Sequence, residues 1–347
     1  AYSLMGFGLL LVLFHAGAMH RGEEFRLDLR GIGFYPLVLF AAMFLAVAFS
    51  YEPTSSTRFL LYHISAALCV LETVSRVQSE KDLKRLAAGG AIAVAISSAY
   101  AVVQRIQGVE VNAAYVDLTL NAGMPGRVDS FFDNPNTFAQ VLILLLPLVL
   151  ALMLSSRSLL MKAAAAGIFA LGVVALGMTY SRASWVGIAC CMVVMVFLWK
   201  PSLIPAFIIL CVLAVPLLPE TIWNRILTIT NMNDSSTSSR FPLYEAALNV
   251  IKTSPVTGAG LGTAATQKFI KDYNLYRGSA PFVHSHNFYL EVWIEAGLLG
   301  IIGFVSSMLW NIKRAAHTVR HCGSSAARTI TCGAASAMCG AMVCGLA

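Results

Sequence analysis

Apolar runs of bilayer length recur along this chain, separated by short stretches that carry lysine or arginine, and this alternation restricts the fold more than any motif does. Crossing about 30 Å of hydrocarbon takes roughly 20 mostly apolar residues in a helix. Lipid offers the backbone no partners, so each crossing segment must bond its own N–H and C=O groups, which a helix does. The runs predict ten spans: Ala1–Met19, Ile32–Ser50, Phe59–Val74, Leu86–Val103, Thr137–Leu154, Leu159–Thr179, Ala183–Trp199, Ser202–Leu218, Asn287–Trp310 and Thr329–Ala347. Composition agrees. Of 347 residues, 58% are hydrophobic and 12% charged, with a mean hydropathy of +0.73. A soluble domain has about a quarter of its residues charged.

Basic residues then orient the set, because loops rich in Lys and Arg stay in the cytoplasm. Alternate loops hold Arg21, Arg26 and Arg30; Arg76, Lys81, Lys84 and Arg85; Arg157 and Lys162; Lys200; and Lys313, Arg314, Arg320 and Arg328. The net charge of +7 therefore reads as membrane topology, and no nucleic-acid partner is expected. The expected fold is all-α and polytopic. Residues 1–218 carry the first eight spans with an outer loop at 104–136, residues 219–286 form a large, partly helical outer loop, and residues 287–347 carry the last two spans. The first visible span would start outside and Ala1 is not a starting methionine, so one further span is expected at each end, making twelve. The cysteines fall in the spans or, for Cys322, a cytoplasmic loop, and read as small packing residues.

The outer loop has structure of its own. In "SSRFPLYEAALNVIKTSPVTGAG", Ser238 and Ser239 are cap candidates and Pro242 suits a first turn. Leu243, Ala247, Leu248 and Ile251 follow at helical spacing, and Pro255 and Gly258 stop the helix. This predicts an amphipathic helix with Arg240 at its N-terminal end. "GAGLG" at Gly258–Gly262 lacks the preceding strand and following Lys-Ser/Thr pair of a nucleotide loop, and is expected to be a flexible turn.

Three arginines, Arg127, Arg182 and Arg240, are expected on the outer face, where a guanidinium fork suits phosphate oxygens and never deprotonates. In "HSHNFYLEVWIEAGLLG", His286 is expected to begin the ninth span. Helix amides and nearby arginines both disfavour an imidazolium there, leaving a neutral ring able to accept a proton. His286, Leu290, Trp293 and Gly297 share a face, and Gly297 and Gly300 would let a neighbouring helix approach. His284 and His286 could begin a metal site, but no third ligand is evident, so no metal and no cofactor are expected. The combination suits glycosyl transfer from a lipid diphosphate: arginines stabilise the leaving diphosphate, and a histidine activates the acceptor hydroxyl.

"HNFYLEVWIEAGLLG" resembles the pattern of the O-antigen ligase and polymerase family: His286, then Asn287, nine residues, and Gly297-x-x-Gly300. "YSRASW", "SSRFPLYEAALNVIKTSPVTGAGLG" and "GRVDSFFDNPNTFAQVLILLLPL" support it, and together these stretches cover residues from about 126 to 303. The resemblance implies a glycan donor on undecaprenyl diphosphate, used without metal at the outer face of the bacterial plasma membrane. It implies His286 as base, Arg182 and Arg240 as diphosphate clamps, and Arg127 as a third candidate. His284 and Asn287, beside the base, are expected at the substrate. The acceptor is a glycan, lipid A core or a protein, and polysaccharide-assembly proteins are possible partners. The rival readings are a transporter of a small anion or inorganic carbon, and a non-catalytic scaffold for polysaccharide assembly. Transporters usually place ionisable groups near mid-membrane, and the spans offer few: His15, His63 and Glu72.

Overall fold

The computed structural model describes residues 32–112, 123–217, 219–227, 240–278 and 282–346, together with Ser238 and a few positions before residue 32. Most of the expected first span, Arg26, Arg30, His15, Ser239 and parts of both long outer loops lie outside the described residues. The described elements are helical: α1 (Phe34–Ala48), α2 (Pro53–Arg76), α3 (Glu80–Gln107), α4 (Pro135–Ser155), α5 (Leu159–Met178), α6 (Arg182–Trp199), α7 (Ile204–Ala214), α8 (Glu220–Leu227), α9 (Arg240–Thr253), α10 (Thr263–Asp272), α11 (Phe288–His321) and α12 (Ser325–Cys344). Among the described residues six helices, α2 to α6 and α11, are long and apolar enough to cross a membrane.

That is fewer than the ten spans expected from the apolar runs, and the shortfall has separate causes. Helix α1 has 15 residues and α7 only 11, shorter than a crossing needs. The run Ser202–Leu218 is broken by its prolines into short 3₁₀ turns, Pro201–Leu203 and Val215–Leu217, on either side of α7. Helix α12 has the length, at 20 residues, but is built largely of Ala, Gly, Ser and Thr, which lowers its apolarity.

The chain divides into two compact units. The first comprises residues 1–79 and 240–310, and the second comprises 80–239 and 311–347.

In the first unit α9 and α10 share a core with the start of α11. Ala246, Ala247, Val250 and Ile251 of α9 pack with Phe269, Ile270, Phe282 and Ile294. The buried face of α9 is thus turned slightly from the one expected, and Leu248 is exposed. Helix α11 is broken at Gly297, whose φ of 66° and ψ of −166° are not helical. In an unbroken helix the Leu298 amide would bond the Ile294 carbonyl. Here the Leu298 amide donates to the Pro255 carbonyl (2.9 Å) and the Ile294 carbonyl accepts from the Ala259 amide (2.7 Å). The loop after α9 therefore takes both halves of the missing helical bond. Trp293 adds an indole N–H to the same Pro255 oxygen (3.1 Å).

Gly258 to Gly262, expected as a flexible turn, is instead this buried loop. Gly258, Gly260 and Gly262 all have positive φ, and a Cβ on Gly258 would stand 2.6 Å from the Ile294 carbonyl oxygen. The close neighbour of Gly297 is likewise a loop rather than a helix: a Cβ there would lie 1.9 Å from the Val256 carbonyl oxygen. Gly300 faces Ala296 across the break, 2.5 Å from where its own Cβ would be. Helix approach occurs one turn later, where Gly303 meets the Leu39 backbone of α1.

The second unit is a helical bundle. Phe138, Leu142 and Leu146 of α4 fill its centre with Val94 of α3, Leu176 of α5, Met195 of α6, and Ile330 and Cys332 of α12. Helix α12 fits tightly because small residues meet: a Cβ on Gly340 would lie 2.6 Å from the Gly187 carbonyl of α6, and one on Gly333 would lie 2.7 Å from the Pro147 carbonyl of α4. Pro147 cannot donate to the Ile143 carbonyl, and Cys191 supplies a thiol there at 3.8 Å. Cys191 is thus a hydrogen-bond donor as well as a packing residue.

Arg127 braces one end of this bundle. It is 9% exposed. Its Nε donates to the Thr179 carbonyl (2.6 Å) after α5, and its Nη2 donates to Asn136 Oδ1 (2.6 Å) in the first turn of α4.

Two stability effects follow. Gly297→Ala adds a clash and a disfavoured φ, and is expected to cost more than about 2 kcal/mol, whereas Leu299→Ala, at an exposed position, leaves the thermal midpoint in detergent nearly unchanged. Arg127→Met leaves buried acceptors unsatisfied and is expected to cost about 1–3 kcal/mol; an unchanged midpoint for that variant would mean the brace is dispensable.

Candidate active site

The segment from Phe282 to Asn287 leads into α11 and carries both histidines. Gln267 of α10 anchors its start by donating to the Phe282 carbonyl (2.6 Å), and the Phe282 ring is buried in the core. At its other end Asn287 caps α11: its Oδ1 accepts from the amides of Tyr289 (3.0 Å) and Leu290 (3.1 Å). An asparagine at this position satisfies amides that have no intrahelical partner.

His286, expected to start the helix, lies one residue before that cap. Its φ is 54°, in the left-handed region. Non-glycine residues are uncommon there, although histidine tolerates it better than most. The reason it does not join the helix is local, since Asn287 must leave helical geometry to cap and its side chain already occupies the first-turn amides. His286 therefore does not share the helical face with Leu290, Trp293 and Gly297 that its spacing suggested.

The two imidazoles stand together, with ring centroids 4.0 Å apart at 50°. His286 reaches solvent, yet the protein around its ring lowers its pKa to about 4, with burial the largest cause, then the His284 ring, then the Arg240 guanidinium. The sequence anticipated a neutral histidine; the structure gives desolvation, more than charge, as the reason. Arg240 opens α9 and is half-buried. Among the described residues nothing hydrogen-bonds or ion-pairs with its guanidinium. Among the described residues no third His, Cys, Asp or Glu joins His284 and His286 in a group that could hold a metal ion.

Between the histidines Ser285 is fully buried. Its amide (2.7 Å) and its hydroxyl (2.6 Å) both approach Glu291 Oε2, and the hydroxyl also lies 3.0 Å from the Asn287 carbonyl. Neither Ser285 nor Glu291 was singled out from sequence, because no spacing rule pairs a residue before a cap with one in the first turn after it.

Arg127 and Arg182 belong to the second unit. Arg182 is the first residue of α6, after the sharp turn at Tyr180, which has a φ of 50°. The Tyr180 ring lies 5.8 Å from the Arg105 guanidinium.

A family model described as O-antigen ligase matches residues 166–305. An uncharacterized protein of Haemophilus influenzae is 32% identical over 81 residues, which is 23% of this chain and 20% of that protein. The aligned stretch thus spans about a fifth of the relative's length. The family match runs from within α5 to the residues just beyond the Gly297 break, taking in Arg182, Arg240 and the histidine segment. Over residues 166–305 this polytopic helical membrane protein is similar to the O-antigen ligase family.

Proposed function

We propose that the protein is a membrane glycosyltransferase of the O-antigen ligase or polymerase kind, working in the bacterial inner membrane with its site on the outer face. It moves a glycan from undecaprenyl diphosphate to an acceptor hydroxyl. The observation that carries this reading is the juxtaposition of a neutral His286 with Arg240, a half-buried guanidinium that no described residue engages.

The ring accepts the acceptor's proton as its oxygen attacks the anomeric carbon. The bond from that carbon to the diphosphate breaks, and undecaprenyl diphosphate leaves with the electron pair. Arg240 stabilises the charge developing on the leaving diphosphate, which is where a fixed donor contributes most. Arg182 is proposed as a second cation for the donor on the family motif alone. Arg127, whose guanidinium already holds Thr179 and Asn136, is proposed as a brace rather than a clamp. Asn287 likewise serves α11 as its cap, and His284 is proposed to face the substrate beside the base. No step requires a metal.

A histidine at about 4 is a weak base in the free protein. The donor changes that: its diphosphate brings negative charge beside the ring, which favours the imidazolium. Binding the substrate thus raises the basicity of the group that must act on it.

The test reconstitutes the purified protein with undecaprenyl-diphosphate glycan in EDTA and follows release of undecaprenyl diphosphate. Lipid A core, a second lipid-linked glycan and a protein acceptor are offered in turn, and the productive acceptor distinguishes ligase, polymerase and protein glycosylation. His286→Ala is expected to lower kcat by about 100-fold or more. Flux of a small anion without turnover on any acceptor would overturn the reading in favour of transport.

The pH profile carries a separate expectation. The acid limb of kcat/KM reports the free enzyme and should fall near pH 4. That of kcat reports the donor complex and should lie at higher pH. Arg240→Met removes a cation that opposes protonation, so it should move the kcat/KM limb upward toward the ordinary histidine value of about 6.5.

A further inference from the structure

We infer that Glu291 is a positioning residue for His286 and acts through Ser285 rather than on the imidazole. The inference rests on the proposed role of His286 as base. A left-handed conformation is disfavoured for a non-glycine residue, and it persists where its surroundings fix it. At His286 both neighbours are fixed. Asn287 is tied to α11 by its cap, and Ser285 is fully buried and tied to Glu291 by its amide and its hydroxyl. The Asn287 amide also points to the Ser285 hydroxyl at 3.4 Å. With residues 285 and 287 both held, the dihedrals of His286 have little freedom left, and the ring is presented on the same side as His284.

Glu291 suits this work. It lies in the first turn of α11, where a carboxylate is stabilised by the exposed amides, and a charged acceptor strengthens both bonds to Ser285. In a serine-protease-type triad the carboxylate bonds the histidine ring itself. Here the groups that act on the His286 ring are the surrounding protein, His284 and Arg240, and the carboxylate is not one of them. It accepts instead from Ser285, the residue before the histidine.

One detail separates position from charge. Both Ser285 bonds converge on a single oxygen, Oε2. A glutamine carbonyl can accept the same two bonds, whereas leucine, of similar size, can accept neither.

The experiment uses the reconstituted protein and the undecaprenyl diphosphate release assay, with thermal midpoints measured alongside. Glu291→Leu is expected to lower kcat by about 10- to 100-fold with the donor KM nearly unchanged, in line with the effect of displacing a catalytic group by about 1 Å. Glu291→Gln should stay within about threefold of wild type, and Ser285→Ala, which keeps the amide bond and loses the hydroxyl bond, should fall between them. The acid limb of kcat/KM should stay near pH 4 in all three, since the groups that shift the ring, the surrounding protein, His284 and Arg240, are kept.

Glu291→Gln as impaired as Glu291→Leu, or a shifted acid limb, would overturn the inference in favour of a direct electrostatic role. If Glu291→Leu does not fold, the other two decide: Ser285→Ala at full kcat overturns it, and reduced kcat beside an active Glu291→Gln supports it. Full activity of His286→Ala would instead sink the proposed function itself, a distinguishable result.

Discussion

One displaced hydrogen bond organises the first unit. A helix that breaks at Gly297 leaves the Leu298 amide and the Ile294 carbonyl without each other, and Ile294 and Gly297 are both buried. Unsatisfied backbone groups away from water cost several kcal/mol each, so the break can exist only if something else bonds them. The loop from Pro255 to Ala259 does so, at 2.9 and 2.7 Å. The glycines of the two segments follow from this requirement. Gly258 and Gly297 each lack the Cβ that would strike the other segment's backbone.

The same docking ties α9 to α11, and this matters for chemistry. The loop that fills the break is the direct continuation of α9, whose first residue is Arg240. The half of α11 preceding the break is the one that begins at Asn287. A guanidinium at the far end of one element and a histidine at the head of the other are thus set by one backbone junction rather than by two mobile loops. Rigid placement of this sort is what lets fixed charges act on a reacting group without reorganising. It also bears on why a residue with an ordinary solution pKa near neutrality is neutral here: the surrounding protein desolvates the ring, and His284 and then Arg240 add smaller opposition to a further charge.

Much of this was legible in the sequence, though unevenly. The helical membrane class follows from apolar runs alone, because continuous runs of about 20 apolar residues suit spanning helices, whereas the strands of a closed barrel are shorter and alternate in polarity. Helix α9 and Arg240 at its start were readable from the proline and the apolar spacing. Span counting was less secure, since α7 and α12 show that an apolar run need not be one long apolar helix. The Gly-x-x-Gly of α11 was visible as a pattern, but its cause was not. Small residues in an apolar run signal that something comes close, and only the fold says that the visitor is a loop 40 residues upstream in sequence rather than a helix.

The histidine segment shows the limit most clearly. Sequence patterns encode regular periods, and His286 stands where no period applies: one residue before a cap, in a left-handed conformation. Periodic reading extended the helix one residue too far and placed His286 on a face with Leu290 and Trp293. The capping preference of Asn287 is the signal that corrects it, because an asparagine ahead of an apolar helix competes for the first amides and ends the helix there. Once Asn287 is the cap, His286 falls outside, and the buried polar residue before it needs a partner. Glu291 is the group in the first turn that provides one. Capping chemistry therefore does two things at this point in the chain: it starts a membrane helix and releases a histidine from it.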